Sequence, residues 1–118
     1  MRHCEVSYQS TPKNADWTVI PPAEAHEIYR IIQEVTSNAF KHAKATSVTI
    51  GLRLDEGQKM TVAISDNGLG YEDKEQHTGI GMQTISQRAS AIGGHVDFFH
   101  HSFGTTFRLT VRVPRTAK

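Results

Sequence analysis

An unbroken helical run is the feature that most constrains this chain. From Ala23 to His42 there is no glycine or proline, and Pro21-Pro22 stands immediately before the run. Proline is favoured at the first position of a helix, so this pattern predicts a helix of roughly five turns. Apolar residues recur along it at helical spacing, namely Ile28, Ile32, Val35 and Ala39. Such a stripe must pack against a hydrophobic layer.

The same helix carries a polar stripe beside the apolar one. Its members fall within about a third of the helix circumference, and they are Glu34, Asn38, Lys41 and His42. A carboxylate, an amide oxygen and cationic groups in a row suit a magnesium-bound polyphosphate next to a group that must lose a proton. Taken alone, the stripe more commonly marks a solvated helix flank. Its meaning therefore depends on the rest of the chain.

Alternating segments provide the hydrophobic layer. Apolar and polar residues alternate over Val48–Leu54 and Met60–Ser65, and the turn residues Asp55-Glu56-Gly57-Gln58 between them predict an antiparallel hairpin. A third strand of this kind is predicted from Thr106 to Val113. Shorter strands are predicted at Cys4–Tyr8, Trp17–Ile20 and Val96–Phe99, and Ser10–Asp16 is predicted to be a loop.

A second helix is predicted over Met82–Ile92, where apolar residues recur at helical spacing until Gly93-Gly94 ends it. The polar stretch Tyr71–Thr78 has no periodicity and is predicted to be a mobile loop. This mixed order of elements predicts an α+β fold, a two-layer α/β sandwich with a mixed, mostly antiparallel sheet and helices on one face. Residues 1–118 are expected to form one domain.

Composition excludes several classes of protein. The 13 basic and 12 acidic residues give a formal charge of +1, so nothing indicates binding to nucleic acid or a membrane surface. Cys4 is the only cysteine, which excludes an internal disulfide framework and a zinc site of paired cysteines. No apolar run approaches the ~20 residues of a membrane span. We expect a soluble domain in a reducing cytoplasm, although its parent protein could be membrane-anchored.

The glycine clusters exclude the common phosphate-binding loops, and taken alone such glycines are more often simple loop residues. Neither the Walker loop nor the three-glycine Rossmann pattern occurs. Four glycines instead flank a polar segment, namely Gly68, Gly70, Gly79 and Gly81. Gly81 stands where the second helix is expected to begin, so the helix dipole there can receive phosphate oxygens. The seven histidines lack zinc-ligand spacing, and His100-His101 is predicted to be a surface pair.

Four motifs in this order resemble the conserved boxes of the GHKL, or Bergerat-fold, ATPases. They are Glu34-x-x-x-Asn38-Ala39-x-Lys41-His42-Ala43, Asp66-x-Gly68-x-Gly70, Gly79-x-Gly81-Met82 and Gly104-Thr105-Thr106-Phe107. More narrowly, Ile31–Glu34 and Gly79–Arg88 are similar to sensor histidine kinases that partner LuxR-type response regulators. The resemblance extends from about Trp17 to Pro114.

The resemblance implies that ATP and Mg²⁺ bind here. It gives Asp66 the role of accepting a hydrogen bond from the adenine amine, assisted by Thr105 directly or through water. Asn38 would be the magnesium ligand and Glu34 the catalytic residue that positions or activates the attacking group. Further nucleotide contacts would come from Lys41, His42, Gly68, Gly70, Gly79, Gly81 and Met82.

The resemblance also implies partners. The chain would be the catalytic module of an ATP-dependent protein histidine kinase in a two-component system. Its substrate would be a histidine on a separate dimerisation domain of the same kinase, and a response regulator would act downstream. The alternative is an anti-sigma-factor-type serine kinase and binding module of the same fold. Two departures are the short Gly70–Gly79 segment, which lacks a phenylalanine-containing box, and Ser102-Phe103 before Gly104.

Overall fold

The computed structural model describes residues 5–11, 17, 20–41, 44–55, 59–68, 80–101 and 104–112. Seven elements follow one another in the chain: β1 (Glu5–Thr11), α1 (Pro22–Lys41), β2 (Ser47–Leu54), β3 (Lys59–Asp66), α2 (Ile80–Ala91), β4 (His95–His101) and β5 (Gly104–Arg112). The strands form one sheet in the order β1-β2-β3-β5-β4. Only the β1–β2 pairing is parallel, so the predicted mixed, mostly antiparallel sheet is confirmed.

The two helices cover one side of this sheet. The strands contribute their alternate residues to the core, as the predicted alternation requires. The largest fully buried side chains are Phe107, Ile31, Ile50, Ile64, Ile85, Leu109, Val48 and Val62. The opposite side of the sheet carries mostly small, polar and charged residues such as Thr49, Arg53 and Arg108, and the exposed Phe99 ring lies against the Arg108 guanidinium. No helix in the described ranges is long and apolar enough to cross a membrane.

The buried stripe of α1 differs from the prediction at one residue. It consists of Ile28, Ile31, Val35 and Ala39, while Ile32 is only half-buried. Ile31 and Ile32 lie on opposite sides of the line that runs through Ile28, Val35 and Ala39. The Ile31 side is the one that also carries Glu27, whose carboxylate lies 3.0 Å from a guanidinium nitrogen of Arg88 in α2. Packing by α2 therefore buries Ile31 rather than Ile32.

The first strand is longer than its sequence predicts. Ser10 and Thr11, predicted to begin a loop, continue β1 in register with Leu52 and Arg53 of β2. The predicted strand at Trp17–Ile20 is wrong, because the Ile20 N–H donates to the Trp17 carbonyl at 3.2 Å and closes a tight turn.

The ends of the helices follow the predicted signals. Pro22 is the first residue of α1, and α2 ends at Ala91. Gly93 has a φ of 71°, and the Gly94 N–H donates to the Ala89 carbonyl at 2.7 Å. This is the hydrogen bond of a Schellman cap. The start of α2 is earlier than predicted, since it begins at Ile80 and places Gly81 inside its first turn.

Candidate functional site

Asp66 and Thr105 face each other at one end of the sheet. They are register partners at the end of β3 and the start of β5. One carboxylate oxygen of Asp66 accepts the N–H of Gly68 at 2.8 Å and that of Thr105 at 3.3 Å. Thr105 is 2% exposed and is the buried polar residue of the described core. An oriented carboxylate and a buried hydroxyl therefore lie side by side.

A glycine makes this arrangement possible. Gly104 has a φ of 141°, a conformation that L-residues with side chains rarely adopt. A Cβ at this position would collide with the carbonyl group of Asp66 and lie 3.1 Å from the Asn67 Cα. The start of β5 thus lies directly against the end of β3, which holds Thr105 beside Asp66.

Asn67 fixes the same end of the sheet from the other side. Its side-chain oxygen accepts the N–H groups of Thr46 and Ser47 at 2.9 and 3.0 Å, and its amide nitrogen donates to the Thr46 hydroxyl at 3.1 Å. Its own N–H donates to the Ser47 carbonyl at 3.2 Å. The sequence motifs assign no role to Asn67. The signal was present, since asparagine after a strand commonly binds nearby backbone groups.

His100 lies in the same row of residues. It pairs in register with Thr105, and its Nδ1 is 3.2 Å from the Thr105 hydroxyl oxygen. The prediction of a surface pair is therefore incomplete: both histidines are exposed, yet His100 contacts a buried candidate ligand. Alternation from Val96 and Phe98 would have placed His100 on the helix-covered side of β4.

The polar stripe of α1 reaches this end of the sheet. After α1, the Ala45 N–H donates to the Ala39 carbonyl at 3.0 Å, and Lys44 takes a left-handed φ of 58°. The chain then enters β2, whose residue Val48 pairs with Asp66. This short connection places the C-terminal turns of α1, which carry Asn38 and Lys41, at the Asp66 end of the sheet.

The same stripe faces α2. By helical geometry Glu34, Asn38 and Lys41 lie on the side of α1 that carries Glu27, and Glu27 contacts Arg88 of α2. Glu34 and Asn38 are half-buried, and Lys41 is exposed. Within the described ranges, the structure records no hydrogen bond or ion pair that occupies any of these three side chains.

The N-terminus of α2 completes the group. A short turn joins α2 to β4 and the two elements are in contact, so β4 runs back along the helix. The first turn of α2 therefore lies over the end of β4 that pairs with Thr105. It contains Gly81 and Met82, of which the structure describes only the backbone. The predicted ligands His42, Gly70 and Gly79 lie outside the described residues.

These groups define a candidate cleft at the Asp66 end of the sheet, flanked by the last turns of α1 and the first turn of α2. The sheet contributes a carboxylate and a hydroxyl, α1 contributes a carboxylate, an amide and an ammonium group, and the first turn of α2 contributes backbone N–H groups. Such a set can bind a ligand that has both a hydrogen-bonding ring and an anionic tail.

The sequence profile of the histidine kinase-, DNA gyrase B- and HSP90-like ATPases matches residues 23–115. Among curated proteins, the chain is similar to the sensor histidine kinase LiaS of Bacillus subtilis, with 32% identity over 108 residues. That match covers 87% of this chain and 29% of LiaS. The chain thus spans less than a third of the length of the curated relatives it matches.

Solved structures share the fold. A blue-light activated histidine kinase of Erythrobacter litoralis EL346 matches with a TM-score of 0.75 and 20% identity, over 96% of this chain and 36% of that one. The ATP-binding domain of PrrB from Mycobacterium tuberculosis matches with a TM-score of 0.64 and 24% identity, over 97% of this chain and 82% of that one. At these identities the likeness concerns the fold, and it confirms the predicted α+β sandwich.

Proposed function

Because the chain belongs to the family of histidine kinase-, DNA gyrase B- and HSP90-like ATPases, we propose that its cleft binds magnesium-ATP and presents the γ-phosphate to a histidine. The observation that carries the proposal is the meeting of Asp66 and Thr105 with the polar end of α1 and the first turn of α2. Residues from four separate elements gather there. Folding alone does not require a carboxylate, an amide and an ammonium group to lie at the end of one helix and beside the N-terminus of another.

Asp66 is proposed to read the adenine amine. Two backbone N–H groups already hold one of its carboxylate oxygens, so the carboxylate has a fixed orientation before a ligand arrives. A carboxylate accepts hydrogen bonds only. It therefore suits the amino group of adenine and opposes the carbonyl oxygen that guanine carries at the same ring position.

The phosphates are proposed to lie between α1 and α2. Lys41 and His42 would contact them from α1, and the dipole and N–H groups of the first turn of α2 would add attraction. Gly68, Gly70, Gly79, Gly81 and Met82 would line the nucleotide through backbone and apolar contact. These glycines permit the close approach of main-chain N–H groups to phosphate oxygens.

The donor set fits magnesium. Mg²⁺ in nucleotide sites commonly takes one or two protein oxygens and completes its octahedron with phosphates and water. Asn38 supplies one amide oxygen, and the described residues contain no cluster of three or more histidine, cysteine or acidic side chains that could form a separate all-protein site. Bound there, magnesium would neutralise charge that develops on the phosphates.

Glu34 is proposed to act on the attacking group. In the transfer, a ring nitrogen of the acceptor histidine forms a bond to the γ-phosphorus, the bond from that phosphorus to the bridging oxygen breaks, and ADP leaves. The imidazole must lose its N–H proton as it becomes phosphorylated. Glu34 lies one helical turn before Asn38, where a carboxylate can accept that proton or orient the ring.

The acceptor histidine is proposed to belong to the dimerisation domain of the parent kinase, with a LuxR-type response regulator downstream in the cytoplasm. The name of the relative LiaS, a sensor histidine kinase, supports the phosphorylation of a histidine. The serine-kinase alternative has no observation in its favour here. We therefore propose one function for residues 1–118, that of the ATP-binding catalytic domain.

The test supplies the acceptor separately. The 118-residue chain is incubated with γ-labelled ATP and magnesium, alone and with a dimerisation segment of its own kinase. We expect acid-labile phosphate only when that segment is present, and only on its histidine. Acid-stable phosphate on serine would favour the alternative, and acid-labile phosphate on the isolated chain would contradict the proposed division of labour.

A further inference from the structure

A row of three side chains crosses the sheet at the proposed nucleotide site. Asp66, Thr105 and His100 occupy consecutive register positions on β3, β5 and β4. All three point to the helix-covered side, because they continue the alternation of Ile64, Phe107 and Phe98 respectively. The proposed function uses the first two and leaves His100 without a role.

The contact between His100 and Thr105 determines what the threonine can offer a ligand. The His100 Nδ1 and the Thr105 Oγ1 are 3.2 Å apart, and either atom can be the donor. A hydroxyl has one proton to donate. If Nδ1 accepts it, Thr105 can only accept a hydrogen bond from a ligand. If Nδ1–H donates instead, the Thr105 proton remains available.

Adenine in direct contact with Thr105, without a bridging water, requires the second arrangement. The ring nitrogen N1 adjoins the amino group and is an acceptor, whereas guanine carries an N–H at that position. A nucleotide whose amine reaches Asp66 brings N1 toward the neighbouring Thr105. Thr105 must therefore act as the donor, and a hydroxyl proton that it donates to His100 is not available to the base.

We propose that His100 is a positioning residue for base selection: its Nδ1–H donates to Thr105 and directs the threonine proton toward N1 of adenine. The inference rests on the proposed binding of ATP and adds to it a residue that does not touch the nucleotide. His100 acts through Thr105, so its effect is on the choice of base rather than on the phosphates.

The chain contains its own control. On the opposite side of the same two strands, the His101 Nε2 lies 3.3 Å from the Thr106 Oγ1. Thr106 also shares a contact of 3.1 Å with the Ser65 hydroxyl. This second histidine–threonine contact has the same chemistry and lies away from the cleft. Changes at His101 therefore report the effect of altering a histidine–threonine contact on these two strands away from Asp66.

The test uses two replacements that are isosteric with each other. The Asn side chain in His100→Asn can place an N–H donor where the Nδ1 of His100 stands, and the carboxylate in His100→Asp can place only an acceptor there. The same two changes are made at His101. Affinities of the purified chain are measured for ATP and for 1-deaza-ATP, in which N1 is replaced by C–H. Both ligands carry the same triphosphate, so the added charge of aspartate cancels in their ratio.

We expect the unaltered chain and His100→Asn to prefer ATP over 1-deaza-ATP by a similar factor. His100→Asp should reduce that preference roughly five-fold or more, as the loss of one directed hydrogen bond predicts. The His101 variants should leave it unchanged. A preference that survives in His100→Asp overturns the inference while ATP binding itself stands. Failure of the unaltered chain to bind ATP overturns the proposed function and this inference together.

Discussion

The backbone of Gly104 lies so close to the carbonyl group of Asp66 that no side chain fits between them. This contact joins the end of β3 to the start of β5 and sets the distance at which the Thr105 N–H meets the Asp66 carboxylate. Gly104, which has no side chain, thereby determines how Asp66 and Thr105 lie relative to each other.

Replacing Gly104 should consequently damage both stability and the site. Gly104→Ala introduces a Cβ into backbone atoms at a φ of 141°. Strain at such a position costs about 1–3 kcal/mol, and the collision adds to it. We expect urea unfolding to show a free energy of unfolding lower by at least 2 kcal/mol. Gly51→Ala is the control, since its Cβ would meet only the Ala63 carbonyl oxygen at 3.9 Å. Equal stabilities of the two variants would refute the close approach.

The Asn67 side chain should contribute to stability through its backbone contacts. Asn67→Ala removes the side-chain oxygen that accepts two backbone N–H groups and the amide nitrogen that donates to Thr46. Because these hydrogen bonds are exposed and water can replace them in part, we expect a loss of about 1–2 kcal/mol in the free energy of unfolding. Asn67→Asp keeps the acceptors and should lose less. If Asn67→Asp were as destabilised as Asn67→Ala, the acceptor contacts would not be the source of the effect.

Asn38 should couple the metal to the nucleotide. Asn38→Ala removes the proposed magnesium ligand, and metal and phosphates bind as one unit. We expect calorimetric titration to show weaker ATP binding in the presence of magnesium and little change in its absence. Gln33→Ala is the matched loss of an amide on the exposed side of α1, where Gln33 contacts Tyr29. An equal effect of magnesium on both variants would show that Asn38 is not a magnesium ligand.

Glu34 should affect the rate and leave binding almost intact. Glu34→Gln keeps the shape and removes the charge, so in the full-length kinase ATP affinity should remain within a few-fold. General acid–base groups typically contribute 10²–10⁴-fold in rate, and we expect autophosphorylation at least ~10-fold slower. Single-turnover phosphorylation on the same preparation provides the comparison. The control is Glu24→Gln, near the other end of α1. An unchanged rate in Glu34→Gln would make this residue a solvated flank of the helix.

Local patterns in the sequence predicted most of the sheet. Strict alternation identified the buried faces of β2, β3 and β5, because a strand that is half-buried repeats every two residues. The start of α1 and the end of α2 followed from Pro22 and Gly93, whose backbone preferences act locally. The candidate ligands Asp66 and Thr105 came from motifs, and the structure places them in register on neighbouring strands.

The remaining features depend on contacts between distant segments. Ile31 and Ile32 flank the same stripe, and only the position of α2 decides which is buried. Extension of β1 to Thr11 requires a parallel partner strand that lies far along the chain. The role of His100 likewise follows from the pairing of β4 with β5. Periodicity gives the side of a strand on which a residue lies, and it does not give the partner across the sheet.

The most direct test of the account is nucleotide discrimination by Asp66. The 118-residue chain and its Asp66→Asn variant are titrated with ATP and with GTP in magnesium, and folding is checked by the unfolding transition. Asp97→Asn is the control, since Asp97 is paired with His95 at 3.2 Å on β4. We predict that the unaltered chain and Asp97→Asn bind ATP and bind GTP poorly, and that folded Asp66→Asn loses most of its affinity for ATP. Equal affinity of the unaltered chain for ATP and GTP would contradict the account.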